Sequence, residues 1–314
     1  MKFALKKSVS RSGLTAALSL AVLCSIPSLA RADAVAQSIL NITGFKITTP
    51  TATPVDGDVT GRGGVNASLN GASVASGPLT GGTYGQTVSL GVGYIANSKL
   101  LGAPTNTFSG GRSSVSGSSF SAIGASALAD STVSLRPAGF GTSDALTGTD
   151  FSFTFATLSA STVNIVFDAD LFLRAFLAGN PILVSTPAAG ATVNSTWSVS
   201  IAGINGDVFR WQPDGAIAAG GVIFGGVETL DPFSLTRLVS ASRNLPTPQV
   251  VNSAGSFAAR SNTLAAGNYT LTIQHKTDAT ANLLVPEPGT LALVGLSLVG
   301  LAVVGRRRAM RQAA

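Results

Sequence analysis

Regular alternation of apolar and polar residues along the second half of the chain restricts its fold more than any other feature. From Val193 to Ile201, every even position carries Asn, Thr or Ser, and the odd positions carry apolar residues apart from one serine. The stretches 151–155, 163–173 and 269–273 likewise keep one face apolar. Successive side chains of a strand point to opposite faces of a sheet, so the pattern predicts strands that bury one face.

Composition divides the body of the chain, residues 33–276, into two parts. Residues 48–148 are rich in Gly, Ser and Thr, which predicts short strands joined by many turns, or partial flexibility. Residues 150–276 predict clearer strands, although 171–178 is also compatible with a short helix. Many short strands and little charge predict an all-β fold, an antiparallel, jelly-roll-like β-sandwich. The length suits one large sandwich or two small ones, and no fixed repeat period supports a β-solenoid.

Residues 1–32 are typical of a secretory signal peptide. Four basic residues precede an uncharged apolar run over 14–26, and a proline ends that run. The small residues that follow predict cleavage after Ala32, with Ala30 as the alternative. We therefore expect export through the Sec-type translocation machinery. The single cysteine, Cys24, lies in this segment, so we expect a mature chain without cysteine.

The C-terminal tail, residues 285–311, has three consecutive parts. It begins with Val285, Pro286, Glu287 and Pro288, continues with an uncharged segment over 289–305, and ends with Arg306, Arg307 and Arg308, followed by Arg311. A helix over 289–305 would extend about 25 Å, and snorkelling arginines would extend it across the ~30 Å hydrocarbon core. Because arginines stay on the cytoplasmic side, the pattern predicts a single transmembrane helix with the body on the other side of the membrane. A buried core helix is the disfavoured alternative.

This order of motif, apolar span and arginines resembles the PEP-CTERM sorting signal of Gram-negative bacteria. The resemblance implies that an exosortase, a membrane-embedded cysteine protease-transpeptidase, recognises the motif and releases the protein. The family is associated with exopolysaccharide-producing, biofilm-forming bacteria. The resemblance therefore implies a transient anchor in the inner membrane, then a place at the cell surface or in the extracellular matrix, with exopolysaccharide as a possible partner. It covers only the tail, and residues 277–284 are expected to be a linker to it.

The positive charge of the chain belongs to its two ends. The formal net charge is +6, from 20 Lys and Arg against 14 Asp and Glu. Without residues 1–32 and the tail, 11 basic and 13 acidic residues remain, which gives the body a formal charge of −2. A near-neutral body has no electrostatic footprint for nucleic acid, so we expect no nucleic-acid partner.

The body contains few of the residues that enzymes and metal sites require. Its one histidine, His275, continues the apolar face of 269–273 and is expected at a strand end rather than in a Ser-His-Asp triad. Neither a Gly-x-Ser-x-Gly elbow nor a Walker or Gly-x-Gly-x-x-Gly sequence occurs. One His and one Cys cannot form a usual zinc site. We expect no catalytic residue, no metal and no cofactor.

Two aspartates and two tryptophans remain as speculative binding residues. Asp168 and Asp170 would share the polar face of one strand about 7 Å apart, which suits calcium or a glycosidase acid pair, although a solvated face is favoured. Trp197 is expected in the core, whereas Trp211, beside a Pro-Asp-Gly turn, is expected to be more exposed and able to stack on a sugar. A calcium-loop-like sequence at 56–61 lacks its bidentate acid.

Together these features predict a secreted, non-enzymatic surface or biofilm-matrix protein that is sorted through its tail. Carbohydrate binding is the natural refinement of this prediction. The main alternative is an extracellular polysaccharide hydrolase that uses Asp168 and Asp170. An ice-binding protein is a third possibility, although Thr270 and Thr272 alone make no threonine ladder.

Overall fold

The structure, a computed structural model, describes residues 32–49, 59–75, 84–103, 105–116, 125–136, 141–179, 189–217, 222–242, 248–283 and 294–302. These residues contain fifteen strands and one short helix, α1, over residues 294–302. The strands are β1 (Ala32–Thr48), β2 (Val59–Leu69), β3 (Ala72–Ala75), β4 (Tyr84–Gly91), β5 (Phe108–Ser116), β6 (Ala125–Leu135), β7 (Gly141–Thr157), β8 (Asn164–Gly179), β9 (Gly190–Gly203), β10 (Gly206–Gln212), β11 (Val222–Phe224), β12 (Gly226–Leu230), β13 (Arg237–Ser242), β14 (Gln249–Ser261) and β15 (Gly267–Leu283).

The strands form two antiparallel sheets. The first sheet has the order β12-β14-β8-β1-β6-β5-β4, and the second has the order β11-β10-β9-β15-β7-β2-β3, with β13 paired to β9. The prediction of an antiparallel all-β body is confirmed. Strands from both halves of the chain alternate within each sheet, since β1 lies between β6 and β8 and β15 lies between β7 and β9. The two composition regions are therefore not two separate domains.

One hydrophobic cluster contains residues of both sheets. The ring of Phe167 on β8 lies 4.5 Å from the ring of Trp197 on β9, centroid to centroid, and stacks on Phe257 of β14 at 5.0 Å. Polar groups also cross between the sheets, because Ser131 Oγ on β6 donates to the Thr277 carbonyl on β15 at 2.8 Å. Buried residues alternate with less buried ones along β9, as the sequence pattern predicts.

The centre of β8 is buried on both faces. All five residues from Leu171 to Ala175 are buried. The helix alternative over 171–178 is therefore wrong, and the lack of alternation between buried and exposed positions comes from a strand that is covered on both sides. On the face turned away from the second sheet, which we call the outer face, the cover is residues 92–103 and 105–107, named here the covering loop.

Buried polar side chains of the first sheet hold the covering loop. Gln37 of β1 donates through Nε2 to the Ser98 carbonyl at 2.9 Å and accepts from the Leu100 amide at 2.8 Å. Asp130 of β6 accepts from the Asn97 amide at 2.7 Å. Both side chains are almost fully buried, and these bonds, together with hydrogen bonds to Thr132 and Tyr94, satisfy their polar atoms in a dry environment.

The predicted linker over 277–284 is wrong for its described residues, which belong to β15. This strand pairs with β7 and β9 as far as residue 282 or 283. Thr277, Ala279 and Ala281 are fully buried and continue the alternation. Their small side chains carry too little apolar surface to mark a strand in the sequence.

The Gly/Ser-rich region forms longer strands than its composition predicts. Strands β2 and β6 each have 11 residues. Most serines and threonines of β6 are buried, namely Ser131, Thr132 and Ser134. The prediction of short strands is therefore wrong for these two elements.

The terminal signals lie largely outside the described residues. Residues 1–31 belong to this group, and Ala32, the predicted cleavage residue, is the first residue of β1, opposite Gly179. Within the described part of the chain, no helix is both long enough and apolar enough to cross a membrane. Helix α1 covers nine residues, so the predicted transmembrane helix over 289–305 is not confirmed.

Candidate functional site

The two aspartates predicted for β8 lie on its outer face and contact neighbouring side chains. Ser256 Oγ on β14 donates to Asp168 Oδ1 at 2.5 Å. Lys99 Nζ of the covering loop lies 3.0 Å from both carboxylate oxygens of Asp170, and it also donates to Asn252. These contacts attach the covering loop to the sheet. A cation at this pair would have to displace Lys99.

Both tryptophans belong to the core. Trp197 and Trp211 are each 0 % exposed, and their rings meet edge to face at 5.8 Å. The expectation that Trp211 is more exposed and stacks on a sugar is therefore wrong. The alternation of faces along β10 explains the burial of Trp211. Phe209, two residues earlier on the same face, is also fully buried. This Phe-x-Trp spacing is the sequence signal for the position of Trp211.

The indole of Trp211 connects the core to an acidic residue of the other sheet. Its Nε1 donates to Glu228 Oε1 on β12 at 2.6 Å. Burial raises the pKa of the Glu228 carboxyl, the hydrogen bond from Trp211 lowers it, and the carboxylates of Asp231 and Asp214 raise it. Glu228 is 9 % exposed, so a carboxylate lies at the boundary between the core and the surface.

Asp231 follows β12 directly and is 3 % exposed. Its Oδ2 accepts from the backbone amides of Asp214 and Gly215, each at 2.9 Å. Its Oδ1 is buried and has no hydrogen-bond partner in the described part of the chain. Burial raises the pKa of Asp231, the hydrogen bonds from the Gly215 and Asp214 amides and the nearby Ala216 amide lower it, and the Asp214 carboxylate raises it.

The turn after β10 requires a glycine. Gly215 has φ +87°, and a Cβ at this position would lie 3.1 Å from the Phe233 Cα. The turn is stabilised from within, since the Ala216 amide donates to Asp214 Oδ1 at 2.9 Å. It is also joined to the segment after β12 by a bridge between Asp214 and Ser234. The glycine therefore lets the two segments approach closely enough to bring their acids together.

Three carboxylates meet at this point and form what we call the acidic cluster: Asp214, Glu228 and Asp231. One carboxylate oxygen from each lies within 4.8 Å of the others. Such oxygens are hard donors that bind hard cations. Local sequence patterns do not indicate the cluster, because its members lie 14 and 3 residues apart on two segments that only the pairing of strands brings together. The Pro-Asp-Gly turn at 213–215 was the one local signal.

His275 lies within β15 and not at a strand end, so that expectation is wrong. The prediction that it continues the buried face is confirmed, since it is 1 % exposed. Neither ring nitrogen has a hydrogen-bond partner at bonding geometry in the described residues. Burial lowers the pKa of the imidazole to about 4, and the nearby Leu40 backbone opposes the shift. The ring is therefore neutral near pH 7.

Other predicted residues lie outside the described part of the chain. They are Ala30 of the signal peptide, the calcium-loop-like residues 56–58, and the tail residues Val285, Pro286, Glu287, Pro288, Arg306, Arg307 and Arg308.

Comparison with known families identifies the tail alone. Residues 284–308 match the family model of the PEP-CTERM protein-sorting motif. The tail is a PEP-CTERM sorting motif. The match includes both the Pro-Glu-Pro sequence and the arginine cluster, as the sequence resemblance predicts. A PEP-CTERM motif implies an extracellular or surface protein that is exported and sorted by an exosortase at the membrane. No curated protein and no solved structure gives a significant match to the chain.

Proposed function

We propose that this chain is a non-enzymatic protein of the cell surface or extracellular matrix, which an exosortase releases from the inner membrane. The observation that carries the proposal is the PEP-CTERM match at residues 284–308. The signal-peptide pattern over 1–32 supports it, because export by the Sec machinery must come before processing on the outer side of the membrane. In this proposal, Arg306 to Arg308 stay cytoplasmic and the segment that contains α1 anchors the precursor.

The contacts of the body favour a structural role over catalysis. Asp168 and Asp170 were the best candidates for a hydrolytic acid pair, and they bind Ser256 and Lys99. An acid that donates a proton to a sugar needs a position beside an open cleft. Here Lys99, as the partner of Asp170, occupies that side of the carboxylate.

We propose that the two sheets form a β-sandwich, which supplies a rigid body for display outside the cell. Cross-sheet contacts support this arrangement, among them Phe167 against Trp197 at 4.5 Å and Ser38 Oγ donating to the Asn194 carbonyl at 2.9 Å. Binding of exopolysaccharide is a hypothesis that rests on the sorting motif alone, since both tryptophans are buried.

The mass of the secreted protein tests the proposed processing. When the chain is expressed in a bacterium that carries an exosortase, we expect the protein in the medium to lack residues 289–314. Replacing both prolines of the motif, Pro286→Ala with Pro288→Ala, should keep the chain at full tail length and bound to the membrane. The matched control is Pro248→Ala, an exposed body position, which should be processed like wild type.

Two results would contradict the proposal. One is a secreted wild-type protein that still contains residues 289–314. The other is release of the double proline variant at the wild-type rate. A polysaccharide-degrading activity that is lost in Asp170→Asn, while the secreted amount is unchanged, would instead support the hydrolase alternative.

A further inference from the structure

We propose that the acidic cluster, Asp214, Glu228 and Asp231, is a calcium site that joins the two sheets. The first observation is the meeting of three carboxylates, whose ligand oxygens lie within 4.8 Å of one another. The second, independent observation is Asp231 Oδ1, a buried carboxylate oxygen without a hydrogen-bond partner in the described residues.

A cation would resolve an electrostatic problem that the protein groups leave open. Asp231 is 3 % exposed and Glu228 is 9 % exposed, so water reaches neither carboxylate freely. Burying a charged group is unfavourable unless it is paired or bound to a metal. In the part of the chain that the structure describes, no lysine or arginine forms an ion pair with any of the three acids. A divalent cation would compensate their charge.

The donor set and its spacing favour Ca²⁺. Ca²⁺ binds oxygen ligands at about 2.3–2.6 Å, so two ligands on opposite sides of the ion are about 4.6–5.2 Å apart. The three carboxylate oxygens lie within 4.8 Å of one another, so all three can reach one ion. Mg²⁺ demands near-ideal octahedral geometry and keeps several waters, so it is seldom bound by protein carboxylates alone. Zinc prefers histidine and cysteine ligands, and the cluster contains neither.

The acidic cluster lies between the two sheets, so a bound ion would connect them. Asp214 follows β10 in the second sheet, whereas Glu228 and Asp231 lie on and directly after β12 in the first sheet. The hydrogen bond from Trp211 to Glu228 already crosses between these strands. Calcium at the cluster would therefore bind the same two edges together and stabilise the folded body. Millimolar calcium outside the cell matches the weak affinity of extracellular calcium modules, about 10⁻⁴–10⁻³ M.

Calcium titration of the full-length chain tests the site. The chain is purified in mild detergent, treated with EGTA and titrated with Ca²⁺ alone, with heat of binding and thermal unfolding as readouts. We expect one site with a Kd of about 0.1–1 mM and a rise in Tm of about 4 °C at about 10 mM Ca²⁺. Mg²⁺ at the same concentration should raise Tm much less.

Charge-removing variants locate the binding. Asp214→Asn and Asp231→Asn should each weaken Ca²⁺ binding about tenfold or more, because each removes one anionic ligand. Asp214 is exposed, so its variant should fold normally. The amide oxygen of asparagine at 231 can still accept from the Asp214 and Gly215 amides. The matched control is Asp207→Asn on β10, an exposed acid whose partner is Arg210, and it should bind Ca²⁺ like wild type.

Tb³⁺ luminescence gives a readout of proximity. Tb³⁺ replaces Ca²⁺ in oxygen sites, and its emission is sensitised by a nearby indole. Because Trp211 donates directly to Glu228, Tb³⁺ at the cluster should emit on tryptophan excitation, and excess Ca²⁺ should abolish the emission.

The calcium site is wrong if Ca²⁺ changes neither the heat signal nor Tm of the wild-type chain. It is also wrong if Asp207→Asn reduces binding as much as Asp214→Asn does, or if Mg²⁺ raises Tm as much as Ca²⁺. These results are independent of tail processing, which the mass measurement tests separately.

Discussion

Both faces of the first sheet are covered, but the inner face is covered mainly by apolar packing, whereas the outer face combines a small apolar cluster, Ile39, Leu128 and Phe172, with polar contacts to the covering loop. On the inner face, Phe167 packs against Trp197 and Phe257. On the outer face, Gln37 and Asp130 hold the covering loop through its backbone groups. Apolar burial is strong but non-directional, whereas buried hydrogen bonds require specific partners. The inner face therefore supplies most of the stability, and the outer face specifies where one loop lies.

Removal of an inner aromatic ring should have the largest effect. Trp197→Ala deletes a fully buried indole that contacts Phe167 and Trp211. We expect the free energy of unfolding to fall by about 4 kcal/mol, measured by urea unfolding of the full-length chain. Phe224→Ala, at a ring that is 61 % exposed, is the control and should change it by less than about 0.5 kcal/mol. Equal losses in the two variants would contradict the position of the core.

The buried layer between the two sheets should also lose stability in acid, through His275 on β15 of the second sheet. Its pKa is lowered to about 4 in the folded chain from 6.5, so the unfolded chain binds the proton more readily. The stability from the neutral ring is present above about pH 6.5 and is lost as the pH falls towards 4, by up to about 3 kcal/mol. His275→Leu should remove this dependence, which urea midpoints at several pH values would show. An unchanged pH profile in the variant would be evidence against a buried neutral histidine.

On the outer face, Asp130 should give the opposite pH dependence of the free energy of unfolding. Burial raises the pKa of this carboxyl to about 6 from 3.8, although hydrogen bonds from Asn97, Thr132 and Tyr94 lower it. The folded chain then holds the proton more tightly than the unfolded chain, so stability falls as the pH rises from about 4 through 6. The change should reach about 3 kcal/mol.

Comparison with Asp130→Asn isolates that change. The variant keeps a neutral side chain of the same shape, so the difference in unfolding free energy between wild type and variant should vary with pH and become constant above about pH 7. A difference that is the same at every pH would mean that Asp130 titrates at its ordinary pKa.

The smallest effect should come from the ion pair between Lys99 and Asp170. Both side chains are about a third or more exposed, and solvent screens such pairs. A double-mutant cycle of Lys99→Ala and Asp170→Asn should give a coupling of less than about 1 kcal/mol that decreases with added salt. A coupling above about 2 kcal/mol would mean that this ion pair, and not the buried anchors, holds the covering loop.

Alternation of apolar and polar residues correctly predicted the strands that bury only one face. It failed for the strands that bury both faces. The alternation around Trp197 correctly predicts β9, since its even positions face a less buried side. At Leu171 to Ala175 the covering loop buries the second face, the period disappears, and a helix becomes an equal alternative. In the second half of β15, alanines replace large apolar residues, so a central strand looked like a linker.

Sites built from consecutive residues were predictable from the sequence, whereas sites built by strand pairing were not. The tail motif was predictable, because its three parts are consecutive in the sequence and their order resembles a known sorting signal. Asp168 and Asp170 were correctly placed on one face of a strand, but the partners that occupy them come from residues 99 and 256, which no local spacing indicates. The acidic cluster was missed for the same reason, since strand pairing across two sheets creates it.

Strand β15 runs to Leu283, and the sorting motif begins at Val285, so a single residue separates the two in the sequence. A protease that cuts after Pro288 would have only five residues, at most about 17 Å of extended chain, between its cut and the paired end of β15. Once the tail is removed, the new carboxyl end would protrude only a few residues from a strand paired on both sides. Carboxypeptidases degrade loose ends, and the released protein would offer them almost none.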